Sequence, residues 1–210
     1  MSATALPAAP APAGTTTPPP ANTGVRPWRI TRDEYYRLGE LGFFDGRRVQ
    51  LIRGEIVEMG KQGWPHALAI GLIADILRVV FASGQWVSEQ PHFRTAGSEP
   101  EADVGVFPGA KRDYADHPDV ATLLVEVADT SLFYDTTTKA ELYATAGVPE
   151  YWVLDLNGRV LHVFRDPHPL RLPPELGATA YRTHDTFGPS DSVSPLAVPA
   201  ATVRVADLLP

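Results

Sequence analysis

The stretch TLLVEVA, residues 122–128, limits the possible folds more than any other part of this 210-residue chain. Side chains of a β-strand point alternately to its two faces, so Leu124, Glu126 and Ala128 share one face. The other face carries Leu123, Val125 and Val127. A strand that is apolar on both faces is typical of the centre of a sheet that is covered on both sides. The stretch therefore predicts a central sheet.

Glu126 is the only charge on this strand, and EADVGVF places a second acid, Asp103, in another apolar run. Burying an ionised carboxylate without a partner costs several kcal/mol, so each acid needs a cation, a metal ion or a proton. Gly105 shares a face with Asp103 and would leave room for another group near the backbone. If the two strands are close neighbours, a divalent cation between the acids would relieve their repulsion, and oxygen-only ligands suit Mg²⁺ or Mn²⁺.

The first part of the chain predicts two helices and an N-terminal hairpin. Thr31 and Glu34 have the spacing of a capping box, so a short helix is expected to begin there. The segment RRVQLIRGEIVEM predicts two strands that turn at Arg53-Gly54. Residues 66–82 are apolar on nearly all sides, which predicts a helix that is buried on more than one side.

The second part of the chain predicts one more helix and further strands. The helix is expected over residues 136–146, and VPEYWVLDLNGRVLHVF, residues 148–164, predicts two strands with a two-residue turn at Asn157-Gly158. Short strands are also expected near Ala180–Arg182 and Thr202–Val205. The whole pattern predicts an α+β fold with hairpins, one long buried helix, a central sheet and one further helix.

Composition excludes several classes of protein and site. The chain has no cysteine, which rules out disulfides, zinc–thiolate sites and a cysteine nucleophile. Residues 1–25 carry no charged side chain and are rich in Ala, Pro and Thr, so they are predicted to be a disordered tail before a single domain over 28–207. No signal sequence or membrane-spanning stretch is recognised, so no membrane partner and a cytoplasmic location are expected.

The quoted segments resemble the Uma-type putative restriction endonucleases, which belong to the PD-(D/E)XK nuclease superfamily. The resemblance spans roughly residues 28–207, rests on HALAIGLIADIL, EADVGVF and LLVEVAD, and is most specific from Leu123 to Asp155. It implies a restriction endonuclease-like α/β fold, in which a mixed central β-sheet is flanked by helices and preceded by an N-terminal hairpin. It also implies DNA as the substrate.

Four residues carry the family's functional positions. Asp103 matches the motif aspartate and Glu126 the glutamate of the E-x-K element. Lys139 matches a lysine that the family carries on the following helix, and Glu55 matches the glutamate of its N-terminal Gly-Glu strand. The resemblance therefore implies that Asp103 and Glu126 hold Mg²⁺ or Mn²⁺ and that Lys139 stabilises negative charge during phosphodiester hydrolysis. It also implies that Glu55 either is a ligand through water or orients a neighbouring residue.

Two positions depart from the family pattern. Ala102 replaces the proline before the aspartate, and this proline is not a ligand. Ala128 replaces the usual lysine of E-x-K, so the positive charge would have to come from Lys139 on the next helix.

Two other functions stay open for this sequence. One is a catalytically inactive nuclease fold that binds DNA or a partner protein. The other is a small-molecule phosphodiesterase, which the formal net charge of −7 mildly favours because duplex DNA prefers a basic face. A homodimer is expected only by analogy with nucleases that cut both strands. His66 is interpreted as a capping or packing residue, and Asp135 as an anion near a helix N-terminus, with a role in the site as its alternative.

Overall fold

The computed structural model describes residues 27–168 and 181–210. The predicted tail, residues 1–25, lies outside the described residues. The helices are α1 (Arg32–Glu40), α2 (Trp64–Val80), α3 (Leu132–Tyr134), α4 (Ala140–Thr145) and α5 (Val205–Leu208), and a π-helical turn, Asp135–Lys139, joins α3 to α4. The strands are β1 (Val49–Ile52), β2 (Glu55–Glu58), β3 (Gln85–Glu89), β4 (Val104–Pro108), β5 (Leu123–Ala128), β6 (Glu150–Asp155), β7 (Val160–Pro167), β8 (Tyr181–Phe187), β9 (Ser192–Val193) and β10 (Val203–Arg204).

Six of these strands form one sheet in the order β3-β4-β5-β6-β7-β8. The β5–β6 pair is parallel and the other neighbours are antiparallel, so the sheet is mixed, as predicted. All six residues of β5 are buried, which confirms that TLLVEVA supplies a central strand. Of the two short strands predicted near the C-terminus, Thr202–Val205 contains β10, and the Ala180–Arg182 prediction falls at the start of β8, with Ala180 itself outside the described residues.

Helices cover both faces of the sheet, in agreement with the predicted fold class. On one face, α2 packs through residues spaced three and four apart, such as Ala69, Ile73 and Leu77, against Val125 of β5. On the other face, α4 packs against the side of β5 that carries Leu124, Glu126 and Ala128. None of the helices in the described part of the chain combines the length and apolar character needed to cross a membrane.

The N-terminal hairpin, β1–β2, is separate from the main sheet but is held against it. Arg53 and Gly54 both have positive φ, 53° and 76°, as a two-residue type I′ turn requires. The backbone amide of Glu99 donates to the Leu51 carbonyl at 2.7 Å. In addition, Arg53 forms an ion pair with the buried Glu141 of α4 at 2.5 Å. The hairpin is thereby fixed to the segment before β4 and to α4.

The hairpin β6–β7 differs from its prediction, because the expected two-residue turn at Asn157-Gly158 is wrong. The last pair of the ladder is Asp155 with Val160, so four residues form the loop. The Asp155 side chain accepts hydrogen bonds from the backbone amides of Asn157 and Gly158, at 3.0 and 2.9 Å, and Arg159 takes the left-handed conformation. The aspartate at the strand end thus satisfies the loop amides, which favours the wider loop.

Candidate active site

The central strands bring two acids together. The antiparallel pairing of Val104 with Val125 continues one step to place Asp103 opposite Glu126. Asp103 directly precedes β4. One of its carboxylate oxygens accepts a hydrogen bond from the backbone amide of Val127 at 2.8 Å, which fixes the side chain. Asp103 and Glu126 are 5% and 3% exposed, so both carboxylates are held away from bulk water.

The two acids line a small, partly open cavity of about 30 Å³. This space is large enough for at least one water molecule, which needs roughly 10–15 Å³. A neighbouring cleft of about 110 Å³ shares part of its lining with the cavity. The cavity is lined by Arg48, Gln50, Met59, Gln62, His66, Glu101, Asp103, Glu126, Val127, Ser131, Asp135 and Lys139.

Lys139 lies beside Glu126 and is 1% exposed. Its amine is 2.7 Å from a carboxylate oxygen of Glu126 and donates to the backbone carbonyl of Glu101 at 3.1 Å. The same oxygen of Glu126 also accepts a hydrogen bond from the Tyr143 hydroxyl at 2.7 Å. The π-helical turn carries Asp135 at one end and Lys139 at the other, and both line the cavity; such turns are frequent at functional sites.

The pKa values of these groups show how burial and charge compete in the cavity. Burial raises the pKa of Glu126 well above its ordinary value, although Lys139 opposes the shift. Burial by itself would lower the pKa of Lys139, but the attraction of Glu126, Asp135 and Asp103 outweighs it, so the pKa of the amine rises. Lys139 is therefore protonated at any physiological pH.

Asp103 is the acid that keeps its charge. Burial alone would raise its pKa, but the hydrogen bond to His66 and the charges of His66 and Lys139 outweigh burial, and the pKa of Asp103 falls below its ordinary value. The His66 ring nitrogen Nε2 lies 3.4 Å from one oxygen of Asp103, and the Gln62 amide donates to the other at 3.2 Å. These contacts leave Asp103 oriented and ionised.

The donor set fits a hard divalent cation. Asp103, Glu126 and Asp135 would together carry three negative charges against the one positive charge of Lys139, and all of these groups are buried. A divalent cation would balance the excess. Within residues 27–168 and 181–210, no group of three or more His, Cys, Asp or Glu side chains is placed to hold a metal alone. Mg²⁺ and Mn²⁺ usually take one or two protein carboxylates and keep several waters, so Asp103 and Glu126 are the residues that could hold such an ion.

Asp135 gives the cavity a pH dependence that can be measured. Burial raises its pKa to about 6, against the opposing charge of Lys139 and the hydrogen bond from Ser131. The unfolded chain loses this proton near pH 4, so between about pH 4 and 6 the folded state holds more protons, and stability falls as the pH rises. A difference of two pKa units between the folded and unfolded chain lowers the free energy of unfolding by about 3 kcal/mol over this pH range.

We therefore expect Asp135→Asn to unfold at a higher temperature than the natural chain above pH 6 in the presence of a chelator. The gain should shrink to nothing as the pH falls below about 4, where Asp135 becomes protonated in the folded and in the unfolded chain. Thermal unfolding between pH 4 and 8 measures the effect. A stability difference that does not change with pH would show that Asp135 has the same pKa in the folded and unfolded chain.

The structure brings together three of the four residues that the resemblance indicated. Asp103, Glu126 and Lys139 share the cavity. Glu55 does not line it: its side chain is 62% exposed beside the turn of the hairpin and forms an ion pair with Arg29. The other end of the same hairpin reaches the cavity, through Gln50 of β1.

Sequence reasoning missed Gln50 and gave His66 a packing role. Gln50 is a polar residue within the apolar strand VQLI, and this exception was the available signal. His66 is buried in the first turn of α2 and lines both the cavity and the cleft. Asp135, whose site role was the alternative, also lines the cavity.

The space expected beside Gly105 is not open. A Cβ atom at this position would lie 2.4 Å from the ring of Phe107 and 2.9 Å from Pro91. The glycine therefore makes room for the aromatic packing of β4, and the prediction that it admits an approaching group is wrong.

Comparison with known proteins identifies a family and a similar solved structure. The model of the Uma2 family, described as putative restriction endonuclease, matches residues 32–206. The crystal structure of a putative nuclease belonging to DUF820 from Anabaena variabilis is similar, with a TM-score of 0.66 and 15% sequence identity, covering 85% of this chain and 97% of that chain. At this identity the likeness establishes the fold. No curated protein matches the sequence.

Proposed function

The chain belongs to the Uma2 family of putative restriction endonucleases, and we propose that it hydrolyses DNA phosphodiester bonds with Mg²⁺ or Mn²⁺ as cofactor. The observation that carries the proposal is the buried set of Asp103, Glu126 and Lys139 around one cavity, with 2.7 Å between the amine and Glu126. Buried acids and a buried lysine at one point are costly to maintain, and such groups cluster at functional sites.

Asp103 and Glu126 would hold the cation. When bound, the cation would polarise a phosphate oxygen and lower the pKa of a bound water. Asp103 is suited to this role because the Val127 amide and Gln62 each fix one of its oxygens. Glu126 has its orientation set by Tyr143 and Lys139, which both donate to the same oxygen, and no hydrogen bond from the described residues reaches the other oxygen.

Lys139 would stabilise the negative charge that develops on the reacting phosphate. A lysine ammonium has three N–H donors. Glu126 and the Glu101 carbonyl accept from two of them, at 2.7 and 3.1 Å, which leaves one donor for an oxygen in the cavity. Since the amine is fully buried and stays protonated, its charge acts in a medium of low dielectric constant, where such stabilisation is strongest.

The cleft next to the cavity would receive the DNA backbone. It is lined by Arg48, Lys61, Gln62 and His66, among others. Arg48 is paired with Glu101, whereas Lys61 is exposed and has no ion-pair partner in the described part of the chain. Lys61 is therefore the cation at the cleft that is available to a phosphate.

We expect Lys61→Ala to weaken DNA binding at low salt without changing the melting temperature. A phosphate contact contributes about one unit to the slope of log affinity against log salt concentration, so the slope should become shallower by roughly 1. Lys111→Ala, an exposed lysine outside the cleft, is the matched control. Equal salt slopes for the two variants would place the DNA on another surface.

The proposed function is tested by incubating supercoiled plasmid with the purified protein and Mn²⁺ or Mg²⁺, or with a chelator. We expect nicked and then linear DNA only when a divalent cation is present, and no cleavage by Asp103→Asn. A protein that binds the plasmid without cutting it would instead be an inactive nuclease fold. A protein that hydrolyses bis(p-nitrophenyl) phosphate but leaves DNA intact would be a small-molecule phosphodiesterase.

A further inference from the structure

Gln50 has a buried side-chain oxygen with no hydrogen-bond partner. The residue is 1% exposed, and its Oε1 atom accepts no hydrogen bond from the described residues. Its Nε2 atom donates to the backbone carbonyl of Glu101 at 3.5 Å. This contact decides the orientation of the amide, because the reverse assignment would set two oxygens against each other.

An unpaired buried amide oxygen is unfavourable. It costs about 1–3 kcal/mol relative to a satisfied group. The other three residues of β1 are Val49, Leu51 and Ile52, so an apolar side chain at position 50 would suit the strand. The polar residue is therefore explained best by a partner that is not part of the polypeptide.

The surroundings indicate the charge of that partner. Gln50 lines the same cavity as Asp103, Glu126 and Asp135. Asp103 is ionised and Glu126 and Asp135 can lose their protons to a metal ion, so the acids of the cavity outnumber its lysine and favour a cation over an anion. Amide carbonyl oxygens are ordinary ligands of hard divalent cations.

We propose that Oε1 of Gln50 is a neutral third protein ligand for the divalent cation held by Asp103 and Glu126. This inference rests on the cation site of the proposed function, but not on DNA cleavage. A neutral ligand adds an oxygen without adding a fourth negative charge to the buried acids. The docked hairpin would then position a metal ligand. The Arg53–Glu141 ion pair and the hydrogen bond from Glu99 to Leu51 hold β1 beside the cavity.

The test is to titrate the metal-free natural chain, Gln50→Leu and Gln50→Glu with Mn²⁺ alone. Calorimetry measures the affinity for Mn²⁺, and thermal unfolding measures the stability with and without the metal. Gln50→Leu should weaken Mn²⁺ binding about tenfold or more, while its melting temperature without metal is equal to or above that of the natural chain. Gln50→Glu should retain Mn²⁺ binding and lose stability without metal, because it adds a fourth acid. Gln85→Leu is the control, since Gln85 bonds Thr122 away from the cavity.

Two results would overturn the inference. One is Gln50→Leu binding Mn²⁺ as tightly as the natural chain, which would leave a water molecule as the partner of Oε1 and leave the proposed function untouched. The other is a natural chain that binds no Mn²⁺, which would remove the cation site itself. Tight Mn²⁺ binding that depends on Gln50, in a protein that does not cut DNA, would support the inference and contradict the nuclease function instead.

Discussion

Replacing Lys139 by methionine should reduce the rate of metal-dependent DNA cleavage about 10²-fold or more, because a positioned charge at a developing oxyanion contributes at least that factor. Methionine keeps most of the lysine stem, so the core around it stays filled. Single-turnover cleavage of a labelled duplex with Mn²⁺ measures the rate. Lys111→Met is the control, as Lys111 is exposed and stands over the ring of Trp86, outside the cavity.

The same variant should lose stability in a way that depends on pH. Removing one partner of a buried ion pair costs about 3–5 kcal/mol, since the remaining charge is left without compensation. Burial already raises the pKa of Glu126, and without Lys139 the shift becomes larger. Above the pKa of the unfolded carboxyl the folded state then holds an extra proton, so stability falls with rising pH, and the deficit should be smallest near pH 4.

From the sequence, Lys139 shares an apolar helix face with Leu142, Tyr143 and Ala146 and is expected to point at the two acids, and Lys139→Ala is expected to leave the fold intact. The last of these expectations has to be revised. The structure shows a fully buried amine with Glu126 at 2.7 Å, so the alanine variant would leave both a cavity and an unpaired carboxylate. Lys139→Met with near-normal cleavage would show that the lysine serves stability alone.

Asp103→Asn should abolish both the stabilisation by Mn²⁺ and DNA cleavage. A cation that binds only the folded state stabilises it by mass action, by about 2.7 kcal/mol at a concentration of one hundred times Kd. For a chain of this size, 1 kcal/mol raises the melting temperature by roughly 2–4 °C. The natural chain should therefore melt several degrees higher in millimolar Mn²⁺, and Asp103→Asn should show no shift.

The fold of this variant should be preserved. Asparagine can still accept the hydrogen bond from the Val127 amide through its side-chain oxygen, and the change removes one of the three buried acids that line the cavity. The lowered pKa of Asp103 shows that the ionised carboxylate stabilises the folded state, so without metal the variant should keep its fold but melt at a lower temperature than the natural chain. Glu40→Gln, an exposed change on α1, is the matched control and should keep the full Mn²⁺ shift. A shift that survives in Asp103→Asn would place the cation elsewhere.

The central part of the site could be predicted from the sequence because its positions follow from strand periodicity. The alternation in LLVEVA places Glu126 on the same face as Leu124 and Ala128, and these residues do pack together with α4. Asp103 follows from the same argument applied to the neighbouring strand. Such local patterns carry the information because the side-chain period of a strand is fixed.

The hairpin shows what the sequence could not supply. Glu55 and Gln50 are both on β1–β2, and which of them reaches the cavity depends on how the hairpin docks. The docking is set by contacts between distant segments, the Arg53–Glu141 ion pair and the bond from Glu99 to Leu51. No local pattern encodes these contacts. The same holds for Gly105, whose role depends on how the Phe107 ring packs.

The most direct test of the account is the anomalous scattering of a crystal soaked in Mn²⁺. We expect one peak within coordination distance of carboxylate oxygens of both Asp103 and Glu126, in the cavity that Lys139 lines. The same soak of Asp103→Asn should show no peak there. A natural-chain crystal without a peak between the two carboxylates, at a Mn²⁺ concentration that supports cleavage, would contradict the proposal that this buried pair is the metal centre of a nuclease.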